Sequence, residues 1–218
     1  MTRASLPSLA AAFGFGLASL AVAETYQPAD MLDWERRDFA GQTDYSLVER
    51  DGQAWLQADC VDGATALYLQ QPVDLTETPI LQWQWAIKGV FTDIDERRKA
   101  GDDYPVRLYV VKDGGLLRWR TRAVNYVWSS AQPASSSWPN AFARQAQMLA
   151  LQSGGSGDWQ VSREERNVRE DFQALHGEEV KQIDGLAIMT DCDNSGQPIQ
   201  GWYGPIRWLP TTSSSTPR

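Results

Sequence analysis

The chain has 218 residues, with 20 Lys and Arg against 28 Asp and Glu and a formal net charge of −8. That negative surplus repels nucleic-acid phosphates and anionic lipid surfaces and disfavours both as partners. One histidine and two cysteines are too few for a multi-histidine or thiolate zinc site.

In chain order, residues 1–23 read as a cleaved secretory signal peptide. Arg3 supplies the basic start, Leu9 to Ala23 the apolar run, and Ala21-Val22-Ala23 the small-residue cleavage site before Glu24. Gly14, Gly16 and Ser19 interrupt the run, which falls short of the roughly 20 apolar residues of a membrane anchor. Cleavage leaves 195 residues and removes one basic residue and no acidic one, so the net charge becomes −9. One domain with a sizeable core is expected over 24–210, in the periplasm or secreted, followed by a disordered polar tail over 211–218. An oxidising compartment permits Cys60 and Cys192 to pair, and the spacing leaves a bridge and two buried thiols equally open.

Residues 44–50 and 53–60 form a predicted hairpin about Asp51-Gly52, a pair suited to the positive φ angles of a tight turn. Further strands are expected over 66–71, 80–87, 106–112, 117–127, 147–152, 186–190 and 202–208. Pro72, Pro79, Gly89, Asp113-Gly114-Gly115, Pro133, Gly154-Gly155 and Gly196 punctuate them. In 82–87 the period of two puts Trp83, Trp85 and Ile87 on one dry face and Gln82 and Gln84 on the other. Many short strands of this kind predict an all-β antiparallel sandwich or barrel.

One packed helix is expected. Ser162-Arg163-Glu164-Glu165 fits a capping box, Val168, Phe172 and Leu175 share a face, and Gly177 supplies the stop. Arg166 with Glu170 and Glu165 with Arg169 are the expected ion pairs of its wet side. His176 is assigned to capping the helix end rather than to catalysis.

The chain carries 10 Trp. An exposed Trp stacks on the apolar faces of sugar rings, and a carbohydrate platform is expected from some of Trp119, Tyr126, Trp128, Trp138 and Trp202. As a strand, Arg118, Arg120 and Arg122 point one way, a fork array suited to an acidic sugar or to the chain's own carboxylates. Asp191, Asp193, Ser195 and Gly196 begin like a calcium loop, but Trp202 stands where a bidentate carboxylate is required, so Ca2+ is admitted only as a non-helical site and no other cofactor is expected. Asp103, Asp171, Asp191 and Asp193 are the carboxylates from which a glycosidase pair can be drawn. Gly154-Gly155-Ser156-Gly157 lacks the Lys of a phosphate loop and reads as a turn.

Several segments together resemble a bacterial family known as domain of unknown function 3047. They are Trp34 with Phe39-Ala-Gly-Gln-Thr-Asp-Tyr45, Gln82-Trp83-Gln84-Trp85, Gly101-Asp102-Asp103-Tyr104-Pro105-Val106-Arg107-Leu108-Tyr109 and Tyr126-Val127-Trp128. Arg166-Asn167-Val168-Arg169-Glu170-Asp171, Ile188-Met189-Thr190-Asp191-Cys192-Asp193-Asn194 and Tyr203-Gly204 continue the match. The resemblance implies no activity. Its strand pattern is similar to galactose-binding-like jelly rolls, the fold of many carbohydrate-binding modules, and Cys192 departs from the small polar residue expected there. It implies that Asp102, Asp103, Arg107, Asn125, Tyr126, Trp128, Arg166, Asn167, Asp171, Asp191 and Asp193 are the ligand-binding candidates. The reading that results is an exported jelly-roll binder of a glycan or envelope polysaccharide. The alternatives are a glycoside hydrolase or lyase using Asp103 or Asp191 with Arg107, and an envelope scaffold with a protein partner.

Overall fold

The computed structural model describes residues 24–211; the signal peptide expected over 1–23 and all but the first residue of the expected tail lie outside them. In chain order the elements are β1 (Glu24–Tyr26), α1 (Pro28–Met31), β2 (Glu35–Ala40), β3 (Thr43–Arg50), β4 (Gln53–Cys60), β5 (Ala64–Asp74) and β6 (Ile80–Ile87). They continue as β7 (Tyr104–Lys112), β8 (Arg122–Ser129), β9 (Ser137–Pro139), β10 (Ala146–Ser153) and β11 (Gln160–Asn167). Then come α2 (Val168–His176), β12 (Gln182–Asp191) and β13 (Ile199–Leu209). No helix among the described residues is long and apolar enough to cross a membrane.

The strands form a β-sandwich, as the sequence predicts. One sheet has the order β11-β6-β13-β4-β3, with β1 also on β13; the other has the order β2-β5-β12-β7-β8-β10-β9. Pairing is antiparallel except between β8 and β10. The inner faces meet in one core that includes Leu56, Leu81, Trp83, Trp85, Tyr203 and Trp208 from the first sheet and Leu67, Leu108, Val124, Tyr126 and Ile188 from the second. Period-two alternation makes each strand face inward with every second residue. The 51–52 hairpin forms as expected, with φ of 54° at Asp51 and 74° at Gly52.

The helix is shorter than its predicted start. Residues 160–167 pair with β6 as an edge strand, so Ser162 and Glu165 cap nothing; Asn167 is the N-cap, accepting from the Glu170 amide. The two expected ion pairs are replaced by Arg166 with Asp171 and Arg169 with Glu179. Gly177 ends the helix in the left-handed region as expected. His176 does not cap it: the ring Nε2 lies 3.0 Å from the Ala123 carbonyl, tying the helix end to β8. Residues 117–121 are not strand either, because the Gly114-Gly115 turn runs into a 3-10 turn at Arg118–Arg120, so positions 118, 120 and 122 do not share one strand as expected.

Cys60 and Cys192 are bridged, with Cα atoms 6.1 Å apart. The bond joins the end of β4 in one sheet to the residue after β12 in the other. It closes a separation of 132 residues, so replacing both cysteines by alanine is expected to lower stability by about 2–5 kcal/mol. Urea unfolding checks this; an unchanged midpoint, or two reactive thiols in the unreduced denatured protein, contradicts it.

Candidate functional site

The site begins with a bulge. Met189 pairs with Arg107 and Asp191 with Tyr104, so two residues of β7, Pro105 and Val106, oppose the single residue Thr190. Pro105 has no N–H to give the ladder and is tolerated at such a position. Most of the groups the bulge frees are met from the other sheet: the Tyr203 hydroxyl donates to Met189 O at 2.6 Å and accepts from Arg107 N at 3.2 Å. Thr190 N donates to the Tyr45 hydroxyl, and Thr190 Oγ1 donates to Pro105 O. The sheets approach so closely here that a Cβ on Gly201 would clash with Pro105 O. A bulge bends its strand and re-aims side chains; this one brings Arg107 and Asp191 together on the outer face.

Arg107 is buried with all three of its nitrogens engaged. Nε donates to Asp191 Oδ1 at 2.9 Å, Nη2 to Asp191 Oδ2 and to Asp102 O, and Nη1 to the Tyr109 hydroxyl at 3.0 Å. Against the desolvation that lowers it, Asp191 holds the guanidinium well above its ordinary pKa. Burial pushes the Asp191 carboxyl up, opposed by Arg107. Asp102 accepts from Asn140 Nδ2 at 2.8 Å, and Asp103 accepts from the amides of Asn194 and Ser195. The charge-dense loop before them is anchored by Glu96, which is buried and accepts from Ser129 Oγ and the amides of Ser130, Ala131 and Gln132. Burial and the Asp103 charge push the Asp193 carboxyl up.

These residues lie at one end of a groove on the outer face of the seven-stranded sheet. Its floor is low because β5, β12, β8 and β10 turn small residues outward, Ala64, Ala66, Ala187, Ala123 and Ala146, while the same strands turn Leu67, Ile188, Tyr126 and Leu149 inward. One end is a cavity of about 410 Å³ lined by Phe39, Asp102, Arg107, Tyr109, Asn125, Asn140, Phe142, Asp191 and Asp193, among others. The hollow continues past Tyr109 and Val111 to Asp113, a run of about 20 Å along β7 at about 3.3 Å per residue. Edge strand β2 forms one wall with Arg37 and Phe39, and the segment of Phe142, Ala143 and Gln145 forms the other. Phe39 and Phe142 are 60% and 57% exposed.

The structure gathers Asp102, Asp103, Arg107, Asn125, Asp191 and Asp193 in and beneath this cavity. It sends the other candidates elsewhere. Tyr126 and Trp128 face the core, because they alternate with outward-facing Asn125 and Val127. The Tyr126 hydroxyl donates to Asp171, which pairs with Arg166, and this cluster clasps α2 to the sandwich; Asn167 is its cap. The expected aromatic platform is also absent from this face: Trp138 and Trp202 are buried, and Trp119 is 65% exposed in the 3-10 turn. Sequence reasoning missed Phe39, Tyr109, Asn140 and Phe142 as site residues. Phe39 and Tyr109 stood in the family-like segments, whereas Asn140 and Phe142 gave no signal.

Among the described residues, Asp103, Asp191 and Asp193 offer carboxylate oxygens within 4.8 Å of one another, the set that can hold a cation. Two members of the expected calcium loop are thus present, but Asp191 is already paired with Arg107 and the Ser195 amide binds Asp103.

The family model described as protein of unknown function (DUF3047) matches residues 32–207. No curated protein matches the sequence. Among solved structures, the chain is similar to the xylan-binding module CBM86 of Roseburia intestinalis at 12% identity and a TM-score of 0.33, covering 88% of this chain and 97% of that one. It is similar to the family 11 carbohydrate-binding module of the Clostridium thermocellum cellulase Lic26A-Cel5E at 10% identity and a TM-score of 0.40, covering 91% and 93%. A variant of the Cel12A cellulase of Rhodothermus marinus gives 6% identity and a TM-score of 0.45, covering 85% and 100%. Likenesses this distant do not assign a function.

Arg107→Leu strands two carboxylates at a buried site, and about 3–5 kcal/mol of stability is expected to be lost. Arg107→Lys keeps the charge without the fork and is expected to recover only part of it. Urea unfolding of both variants checks this, and a loss below about 1 kcal/mol for the leucine variant contradicts it.

Proposed function

We propose that this chain, which belongs to the DUF3047 family of proteins of unknown function, is an exported glycan-binding protein that holds an extended saccharide in the groove of its seven-stranded sheet. The observation that carries this is the pairing of chemistry in the groove. Aromatic faces stand exposed on both walls, at Phe39 and Phe142, above a floor of alanines and fixed polar groups. Aromatic rings take the apolar faces of sugars and fixed polar groups take their hydroxyls, and such a floor costs little to order because its side chains are already held. The groove's length suits a chain rather than a single sugar.

Export is supported by the signal-like pattern of residues 1–23 and by the Cys60–Cys192 bridge, which belongs in an oxidising compartment. Binding is favoured over hydrolysis because the carboxylates nearest one another are spent: Asp191 on Arg107 and Asp103 on two backbone amides and the Asn194 side chain. A glycosidase needs two carboxyl groups free to exchange protons with substrate. The same commitments make calcium unnecessary for the groove.

Calorimetric titration of the protein lacking residues 1–23 against linear glycans, with calcium and with chelator, tests the reading. Saturable binding without cleavage products is expected, unchanged by chelator. Phe39→Ala and Phe142→Ala are each expected to weaken it about 3–10-fold, whereas Trp159→Ala, which packs on Trp55 and Trp202 on the outer face of the other sheet, leaves it unchanged. Failure of every glycan to bind, or binding indifferent to both phenylalanines, overturns it.

A further inference from the structure

Among the described residues three aromatic side chains are exposed, Phe39, Phe142 and Trp119; every other Phe, Tyr and Trp is buried or half-buried. Two of the three form the groove walls. Trp119 belongs to the turn that joins β7 to β8, and two residues of that turn, Gly115 and Thr121, line the hollow at the Asp113 end of the groove. Trp119 is two residues from Thr121, so its Cα lies within about 7 Å of that of a lining residue. The exposed rings are thus gathered at the borders of one groove.

The turn that carries Trp119 is braced. Gly114 sits beneath the backbone of Leu117, Arg120 and Thr121, where a Cβ would clash, so the turn closes only over a glycine. The Gly114 amide donates to Thr121 Oγ1 at 3.1 Å, and Gly115 N donates to Asp113 Oδ1 at 3.0 Å. Leu117 N donates to Gly114 O and Arg120 N to Leu117 O. Arg122 Nη1 donates to Trp119 O at 2.9 Å, which ties the turn to the first residue of β8. On this turn Trp119 is 65% exposed and Leu116 fully so. A ring displayed on an ordered turn at the end of a groove is a stacking surface that costs little to order on binding.

Resting on the groove reading, we infer that the bound glycan leaves the groove at its Asp113 end and stacks a further sugar on Trp119. The binding site is then longer than the groove, and the preferred ligand is a long linear polysaccharide rather than a short oligosaccharide. Trp119 sets the preference for chain length, whereas Phe39 and Phe142 act on chains of every length.

Calorimetry with cello-, xylo- and manno-oligosaccharides, each graded from dimer to hexamer, tests this. In a series that binds, the hexamer is expected to bind about 3–10-fold more tightly than the trimer, and Trp119→Ala to remove most of that gain while leaving trimer affinity and the melting temperature unchanged. Trp119→Phe is expected to restore most of the gain. Phe39→Ala lowers trimer and hexamer affinity alike, and Trp159→Ala lowers neither. The hexamer, and not the trimer, is expected to shift the tryptophan emission, and that difference is absent from Trp119→Ala. A hexamer bound no more tightly than the trimer, or a length gain that survives in full in Trp119→Ala, overturns this inference and leaves the groove reading standing. Equal losses for trimer and hexamer in Trp119→Ala overturn the extension beyond the groove, and silence from all three series overturns both readings.

Discussion

A buried arginine dictates the design of this face. Arg107 lies almost wholly out of water, and an unpaired charge there would cost several kcal/mol. The fold answers with the bidentate Asp191, the Asp102 carbonyl and the Tyr109 hydroxyl. Each partner arrives from a different structural source. Asp191 is the last residue of β12 and Asp102 belongs to the loop anchored by Glu96. Tyr109 lies two residues along β7. Satisfying one guanidinium therefore fixes the relative positions of two strands and a loop.

The bulge is the backbone counterpart of that constraint. It lets Arg107 and Asp191 meet on the outer face, and its freed amide and carbonyl groups would be unsatisfied if Tyr203 and Tyr45 did not reach across from the opposite sheet. Burial pushes the Tyr109, Tyr45 and Tyr203 hydroxyls up, so they stay protonated and available as donors. The Cys60–Cys192 bridge then joins the sheets one residue beyond Asp191. The rigid floor beside the groove follows from these crossings. The groove itself follows from side-chain size, since five alanines face outward where their neighbours along the same strands are large and face the core.

How much of this was legible in the sequence depends on what each residue buries. Strands whose alternate residues enter the core, such as 80–87, were readable because burial imposes the period of two. β11 and β2 were not, because edge strands such as Gln160–Asn167 and Glu35–Ala40 bury little, and Ser162 to Glu165 imitates a helix start in composition. The charged part of the site was readable as Asp and Arg clustered in the family-like segments, whereas Asn140 lay outside them. Its aromatic half was not: Phe39 and Phe142 look ordinary in sequence, and the tryptophans that drew the expectation mostly build the core or pack beneath Trp159. Adjacency also misled, since Asn125 and Tyr126 on one strand cannot face the same side.

The most direct measurement is a two-dimensional 15N NMR titration of the protein with a soluble linear oligosaccharide. The account predicts saturable shifts confined to the outer face of the seven-stranded sheet, at Ala66, Tyr109, Ala187 and the Asn125 side-chain amide. Shifts centred instead on Trp55, Trp159 and Trp202, on the outer face of the other sheet, or no shifts with any oligosaccharide, would contradict it.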